Sequence, residues 1–195
     1  RVGRAMQPPR PSSAEADADL PAGTIRVTVV DAEGEPVRDG AVDVGALAQG
    51  DRTRYNGRTN AEGVATFEDL PTGTAQAYRV NVPHEGATYS TSPFRLPTDR
   101  GYAVRVTRLP TTRDDELLFF RTFRVIVEQR GERMHVVHQA ELTNAGAETF
   151  VFPARGRRVA LPEGAKAFQA QEVMTDQRIE ELAEHDAMVL RGSLP

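Results

Sequence analysis

A period of two, recurring in short runs from Thr24 onward, constrains this chain more than any other feature of its sequence. Ile25, Val27 and Val29 alternate with Arg26 and Thr28. Successive side chains of a strand point to opposite faces, so such a run buries one face and wets the other. Val42 with Val44, Ala65 with Phe67, Val80 with Val82, Phe94 with Leu96 and Val104 with Val106 repeat the pattern. Between the runs stand Asp31-Ala-Glu-Gly34-Glu-Pro36, Asn60-Ala-Glu-Gly63 and Leu70-Pro71-Thr-Gly73. Glycine there permits positive φ, and proline removes a ladder donor. Helical spacing is missing throughout 24–108. Turns at this density between short alternating strands predict an all-β sandwich. Its core should include Ile25, Val27, Val29, Phe67, Leu70, Val80, Val82 and Val104.

The pattern restarts after a polar stretch, Pro110 to Glu116. Phe123, Val125 and Val127 share one face, Gln129-Arg-Gly131-Glu turns the chain, and Met134 to Leu142 returns. Asn144-Ala-Gly146 marks a further turn, and Phe150 with Phe152, Val159 with Leu161, and Met188 with Leu190 add more alternating pairs. All four Tyr residues precede Pro110 and six of the eight Phe residues follow it. Different aromatic compositions favour two cores, so the spacing predicts tandem β-sandwiches over 24–110 and 111–195. Leu117-Leu-Phe-Phe120 sends one apolar pair to each side of a strand. One pair should enter the second core, and the end of the first domain is the nearest cover for the other. Thr175 to Glu184 is the one helical candidate, against an irregular strand or loop there. Residues 1–23 carry four prolines and alternating Ala and acid up to Asp19. They hold too little apolar surface to offset their ordering entropy, and read as a flexible, disordered Pro/Ala-rich linker.

Four blocks of the first half carry a family pattern: Val29-Val30-Asp31-Ala-Glu-Gly34-Glu-Pro36-Val37, Gly40-Ala41-Val42, Thr59-Asn-Ala-Glu-Gly63-Val-Ala-Thr-Phe67 and Leu70-Pro71-Thr-Gly73-Thr74. In this order the region resembles the carboxypeptidase regulatory-like family, a transthyretin-like β-sandwich. The second half is similar to the β-domain, transthyretin-like or Ig-like, that follows such modules in envelope proteins of GC-rich bacteria such as myxobacteria. The residues behind this likeness are Val136 to Asn144, Leu161-Pro-Glu-Gly164 and Leu190-Arg-Gly-Ser-Leu-Pro195. The resemblance implies an exported accessory module. It also implies an anchor outside this chain and a place in the periplasm or on the cell surface.

The composition narrows the chemistry. With 24 basic and 28 acidic residues the net charge is −4, which is not the basic footprint of a nucleic-acid binder. No cysteine occurs, so disulfides, thiolate metal sites and a cysteine nucleophile are excluded within this stretch. Lys166 is the single lysine; an isopeptide cross-link would need it beside Asn144 and Glu141 or Glu148, and the chain gives no sign of that. Histidines offer no metal set: His84-Glu85 lacks a second His, His135 and His138 are three apart and so on opposite faces of a strand, and His185-Asp186 stands alone. Asp31, Glu33 and Glu35, like Asp17 and Asp19, alternate as acids around turns but lack the ordered oxygen set of a calcium loop. Arg191-Gly192-Ser193 repeats a hydroxyisourate hydrolase signature of the transthyretin fold, but away from the first domain. No His stands on the first strand, so the match is a coincidence.

The sequence therefore reads as a non-catalytic, extracytoplasmic bacterial envelope protein acting in spacing, display or partner attachment. No catalytic residue, cofactor or metal is expected. The partner is a protein or glycan of the envelope. The alternative is a carbohydrate-binding or enzyme-accessory module whose catalytic part lies outside this chain. Tyr55, Tyr89 and Tyr102 are its candidate aromatic platforms, and Arg155, Arg157 and Arg158 are a basic cluster for acidic groups.

Overall fold

The computed structural model describes residues 12–48, 50–160, 179–184 and 187–194. Every element among them is a strand, so the all-β expectation is met. Eight strands build the first region: β1 (Ser12–Asp17), β2 (Ile25–Val30), β3 (Ala41–Ala48), β4 (Asp51–Arg58), β5 (Val64–Phe67), β6 (Ala77–His84), β7 (Ala87–Ser90) and β8 (Gly101–Thr107). They form two four-stranded sheets, ordered β1-β8-β2-β5 and β4-β3-β6-β7. One apolar core joins them. Ile25, Val27, Val29, Val104 and Val106 come from the first sheet, and Val42, Val44, Val80 and Val82 from the second. All eight residues expected in the core are there. Each valine contributes about 1.5–3 kcal/mol by leaving water.

The turns work as their residues demand. Asp31 Oδ1 accepts the backbone N–H groups of Glu33 at 3.1 Å and Glu35 at 2.8 Å, closing the first turn. Asn60 Oδ1 does the same for Glu62 and Val64 at 3.1 and 2.9 Å. Gly63 follows at φ 74°, and a Cβ there would stand 2.7 Å from the Val29 carbonyl oxygen. Only glycine fits both the angle and the approach.

The N-terminal segment corrects the linker reading. Ser12–Asp17 pairs antiparallel with β8 in unbroken register, Ser12 opposite Val106 to Asp17 opposite Gly101. Ala14 packs on the core, Ser12 Oγ donates to the Ser90 carbonyl at 2.8 Å, and Leu20 is buried. Low apolar content did not prevent order, because β8 is hydrogen-bonded to β2 on one side only and its other edge offers a ready ladder. Residues 1–11 lie outside the described residues.

The described residues of the second region do not confirm a second sandwich. Its strands are β9 (Thr111–Thr112), β10 (Leu118–Arg130), β11 (Arg133–Asn144), β12 (Thr149–Val151), β13 (Arg157–Ala160), β14 (Ile179–Glu184) and β15 (Ala187–Leu194). One sheet runs β13-β15-β12-β9, with β14 also paired to β15. β10 and β11 form a separate two-stranded hairpin. Phe150, Phe152 and Leu194 make a small cluster on which Leu118, Leu142 and Leu190 pack. Among the described residues no second layer covers the hairpin. Of the helical candidate Thr175 to Glu184, the described part, Ile179–Glu184, is strand, paired with β15 from Ile179 opposite Gly192 to Glu184 opposite Ala187. Two residues three apart, Ile179 and Leu182, were too few to specify a helix, and the neighbouring strand supplies the backbone partners instead.

Candidate partner-binding surface

Two features of the second region stand out: how it is fixed to the first, and what its hairpin leaves bare. The fixing begins at the turn between β6 and β7. Glu85 and Gly86 take φ 48° and 86°, the type I′ arrangement whose twist suits a two-residue hairpin. A Cβ on Gly86 would sit 3.1 Å from Val151 Cγ1, so the turn is pressed against β12. Val151 itself belongs to the core of the first region. Next to it, the Tyr89 hydroxyl donates to the Leu109 carbonyl at 2.8 Å and shares a hydrogen bond with Thr149 Oγ1 at 2.9 Å. Burial pushes the Tyr89 phenol above its ordinary range; its hydrogen bonds act the other way. At the rim Thr111 Oγ1 donates to Glu85 Oε2 at 3.0 Å, and the Thr88 N–H reaches Ser193 Oγ at 3.4 Å. The two regions therefore share buried contacts and are not beads on a flexible link.

Leu117-Leu-Phe-Phe120 contributes little of this. Leu118 packs on the small cluster, but Leu117, Phe119 and Phe120 are exposed, Phe120 by 60%. The first region meets the second at Val151 and Thr149 and leaves Leu117 and Phe119 exposed.

The hairpin is built from 13-residue and 12-residue strands. Gly131, at φ 64°, gives the two-residue connection its positive φ. Arg121 is an extra residue between Phe120, opposite Leu142, and Thr122, opposite Glu141. Such a bulge shifts the alternation by one residue. Phe120 and Phe123 consequently fall on one face, with ring centroids 6.2 Å apart and planes at 63°. That face continues through Val125 and Val127, with Val136 opposite Val127 and Met134 opposite Gln129. All six large apolar side chains are exposed. The other face carries Arg124, Glu128, Arg130, Arg133 and His135, with Phe119, Ile126 and Val137 as its large apolar residues. Arg130 binds Glu128 at 2.7 Å and holds its carboxyl below the usual range, with a smaller effect from His135.

The remaining candidates fall apart as sites. His135 and His138 stand opposite Glu128 and Val125, register positions on opposite faces of the hairpin. His84 is partly buried, which with Arg108 lowers its pKa against the pull of Glu85. Asp17 accepts the Asp19 N–H at 2.9 Å, and Asp31 is committed to its turn. Among the described residues no three His, Cys, Asp or Glu side chains converge. The Asn144 amide donates to the Glu148 and Leu194 carbonyls at 2.7 and 3.1 Å, and Glu141 pairs with Arg121 at 3.5 Å. Lys166, His185 and Asp186 lie outside the described residues.

Tyr89 is a core residue, 1% exposed, and not a platform. Tyr55 packs against the core edge, and Tyr102 stacks on Phe94 at 4.4 Å and 8°. Alternation puts Tyr89 inside, where its hydroxyl finds partners at the core margin. The arginine cluster is also dispersed. Arg157 bonds Asp115, and Arg158, adjacent on β13, takes the opposite face. The hairpin's apolar face was within reach of sequence reasoning through Phe123, Val125 and Val127, but its exposure was not, and no other described strand packs over it. No family model matches this chain, and no curated protein is significantly similar to it.

Proposed function

We propose that this chain is a non-catalytic attachment module of a bacterial envelope, and that the apolar face of the β10–β11 hairpin is its attachment surface. One observation carries the reading. Six large apolar side chains lie on a single face, whose register positions hold no Asp, Glu, Lys or Arg, of a hairpin that no other described strand covers. Exposed apolar patches beyond a few hundred Å² mark interaction sites in soluble proteins. The rest of the molecule suits display: the hairpin is rooted through Leu118 and Leu142, and the sheet beside its root is locked to the first region by Val151 and Tyr89. The envelope location and the likeness to the carboxypeptidase regulatory-like family belong to the same proposal. They rest on the turn blocks around Gly34, Gly63 and Gly73.

The test is a photo-activated cross-linker placed at Val125, with one at Arg58, on the β4 edge of the first region, as control. Covalent adducts are expected from Val125 and not from Arg58. No adduct from Val125, in cells or with the purified chain, overturns the attachment surface. Fractionation of cells expressing the gene at its natural length checks the location; a cytoplasmic product overturns that part.

A further inference from the structure

We infer that the occupant of the hairpin's apolar face is a second copy of this chain, docked face to face about a two-fold axis. The inference rests on the attachment reading above and names its partner. The first argument is the composition of the face. Phe120, Phe123, Val125, Val127, Met134 and Val136 include no charge, while Arg124, Glu128, Arg130, Arg133 and His135 hold the opposite face. A two-fold axis brings the same patch onto itself. The strip's register positions hold no Asp, Glu, Lys or Arg, with Gln129 and His138 as its polar members, so it satisfies that operation without needing complementary charges, and a partner with a charged surface would bury those charges unpaired.

The second argument is area. The six side chains are exposed by 46% to 62%. They leave on the order of 500 Å² of apolar surface on one side of the hairpin, more than scattered surface residues provide. Two such faces bury about 1,000 Å² together, the lower bound for a specific association. The third argument is architectural. A lone two-stranded hairpin is marginal in water and needs another layer for independent stability. Two hairpins packed at the usual sheet separation of roughly 10 Å supply that layer to each other. A bilayer suits the hairpin less well, because its tip, Arg130-Gly131-Glu132-Arg133, would carry four residues without an apolar side chain, three of them charged, into hydrocarbon.

Such a small interface predicts a reversible dimer, seen by analytical ultracentrifugation of the intact chain over a concentration series. Val125→Asp and, separately, Val127→Asp should weaken association at least tenfold. Ile126→Asp, on the opposite face, should leave it unchanged. All three positions are exposed, and melting curves check that each variant folds. The cross-linker at Val125 should then give an adduct of twice the chain mass. A chain that stays monomeric at every concentration, or a Val125→Asp dimer as tight as the parent, overturns the second copy. If the chain is monomeric and Val125 cross-links to a different protein, or co-sediments with lipid vesicles, the second copy is wrong and the attachment surface stands. With no adduct at all, both fail.

Discussion

β2 and β10 carry nearly the same message and meet opposite fates. Val27 and Val29 flank Thr28 in one; Val125 and Val127 flank Ile126 in the other, and each pair shares one face of its strand. In β2 both valines are fully buried, lying under Val42, Val44, Val80 and Val82 of the facing sheet. In β10 the pair is about half exposed, at 47% and 55%. Alternation decides which face of a strand is apolar. Whether that face is covered depends on elements far away in the chain, and here the cover exists for one strand and not the other.

The largest expected effect breaks or keeps that contrast directly. Val27→Asp buries an unpaired carboxylate and should cost about 4 kcal/mol or prevent folding, whereas Val125→Asp in the monomer should stay within about 0.5 kcal/mol. Urea denaturation of both variants at low concentration checks the pair; equal losses would mean that the hairpin face is covered within one chain. Next comes Tyr89→Phe. It removes the hydroxyl between Leu109 and Thr149, both at the junction of the two regions. It should cost about 1–3 kcal/mol, since buried acceptors lose their donor. Thermal melting should then show the second region separating from the first; a single unshifted transition would show that Val151 alone holds the junction.

Glu15→Pro sharpens the comparison at a different edge. A proline opposite Ala103, whose backbone faces β1, has no N–H to give the ladder and should cost about 1–2 kcal/mol. Protease cleavage within Ser12–Asp17 should accelerate, while unchanged protection would show that β1 contributes nothing to order there. The smallest effect is one of pH. Burial holds the His84 pKa below its ordinary value near 6.5. The unfolded chain therefore takes up a proton that the folded chain refuses as pH falls through about 6.5, and stability declines below that point. Denaturation at pH 7 and pH 5.5 should show the decline, and His84→Gln should remove His84's share of it. An identical slope in the variant would locate the dependence elsewhere.

These contrasts also show what the sequence made legible. Strand faces, the Asp31 and Asn60 turns and the whole core list follow from side-chain period and from residues that accept special φ, which are local properties. β1 was illegible because its order comes from the bare edge of β8, some 90 residues away, and not from its own Ser, Ala and Glu content. The locking role of Tyr89 was hidden for the same reason. A tyrosine on an apolar face reads as core, and nothing local says that its hydroxyl meets Thr149. The alternation from Leu117 to Phe120 holds, but that Phe120 shares a face with Phe123 depends on a single residue of bulge, which no pattern of hydrophobicity marks.

The pairing of β2 has a consequence for the order of assembly. β2 lies parallel to β8, Ile25 opposite Tyr102 through Val30 opposite Thr107. Its antiparallel partner β5 arrives earlier, Ile25 opposite Phe67. On a growing chain the β2–β5 pair therefore closes while the far edge of β2 stays open until residue 107 has left the ribosome. β1, made before the other strands of this region, waits longest, because its one partner among the described strands is β8. Loop closure across so many residues is slow, and an open edge beside Val27 and Val29 is the surface a nascent chain must keep from its neighbours. The strand that ends as the outer edge of the sheet is thus older than the strands it joins and among the last to be fastened.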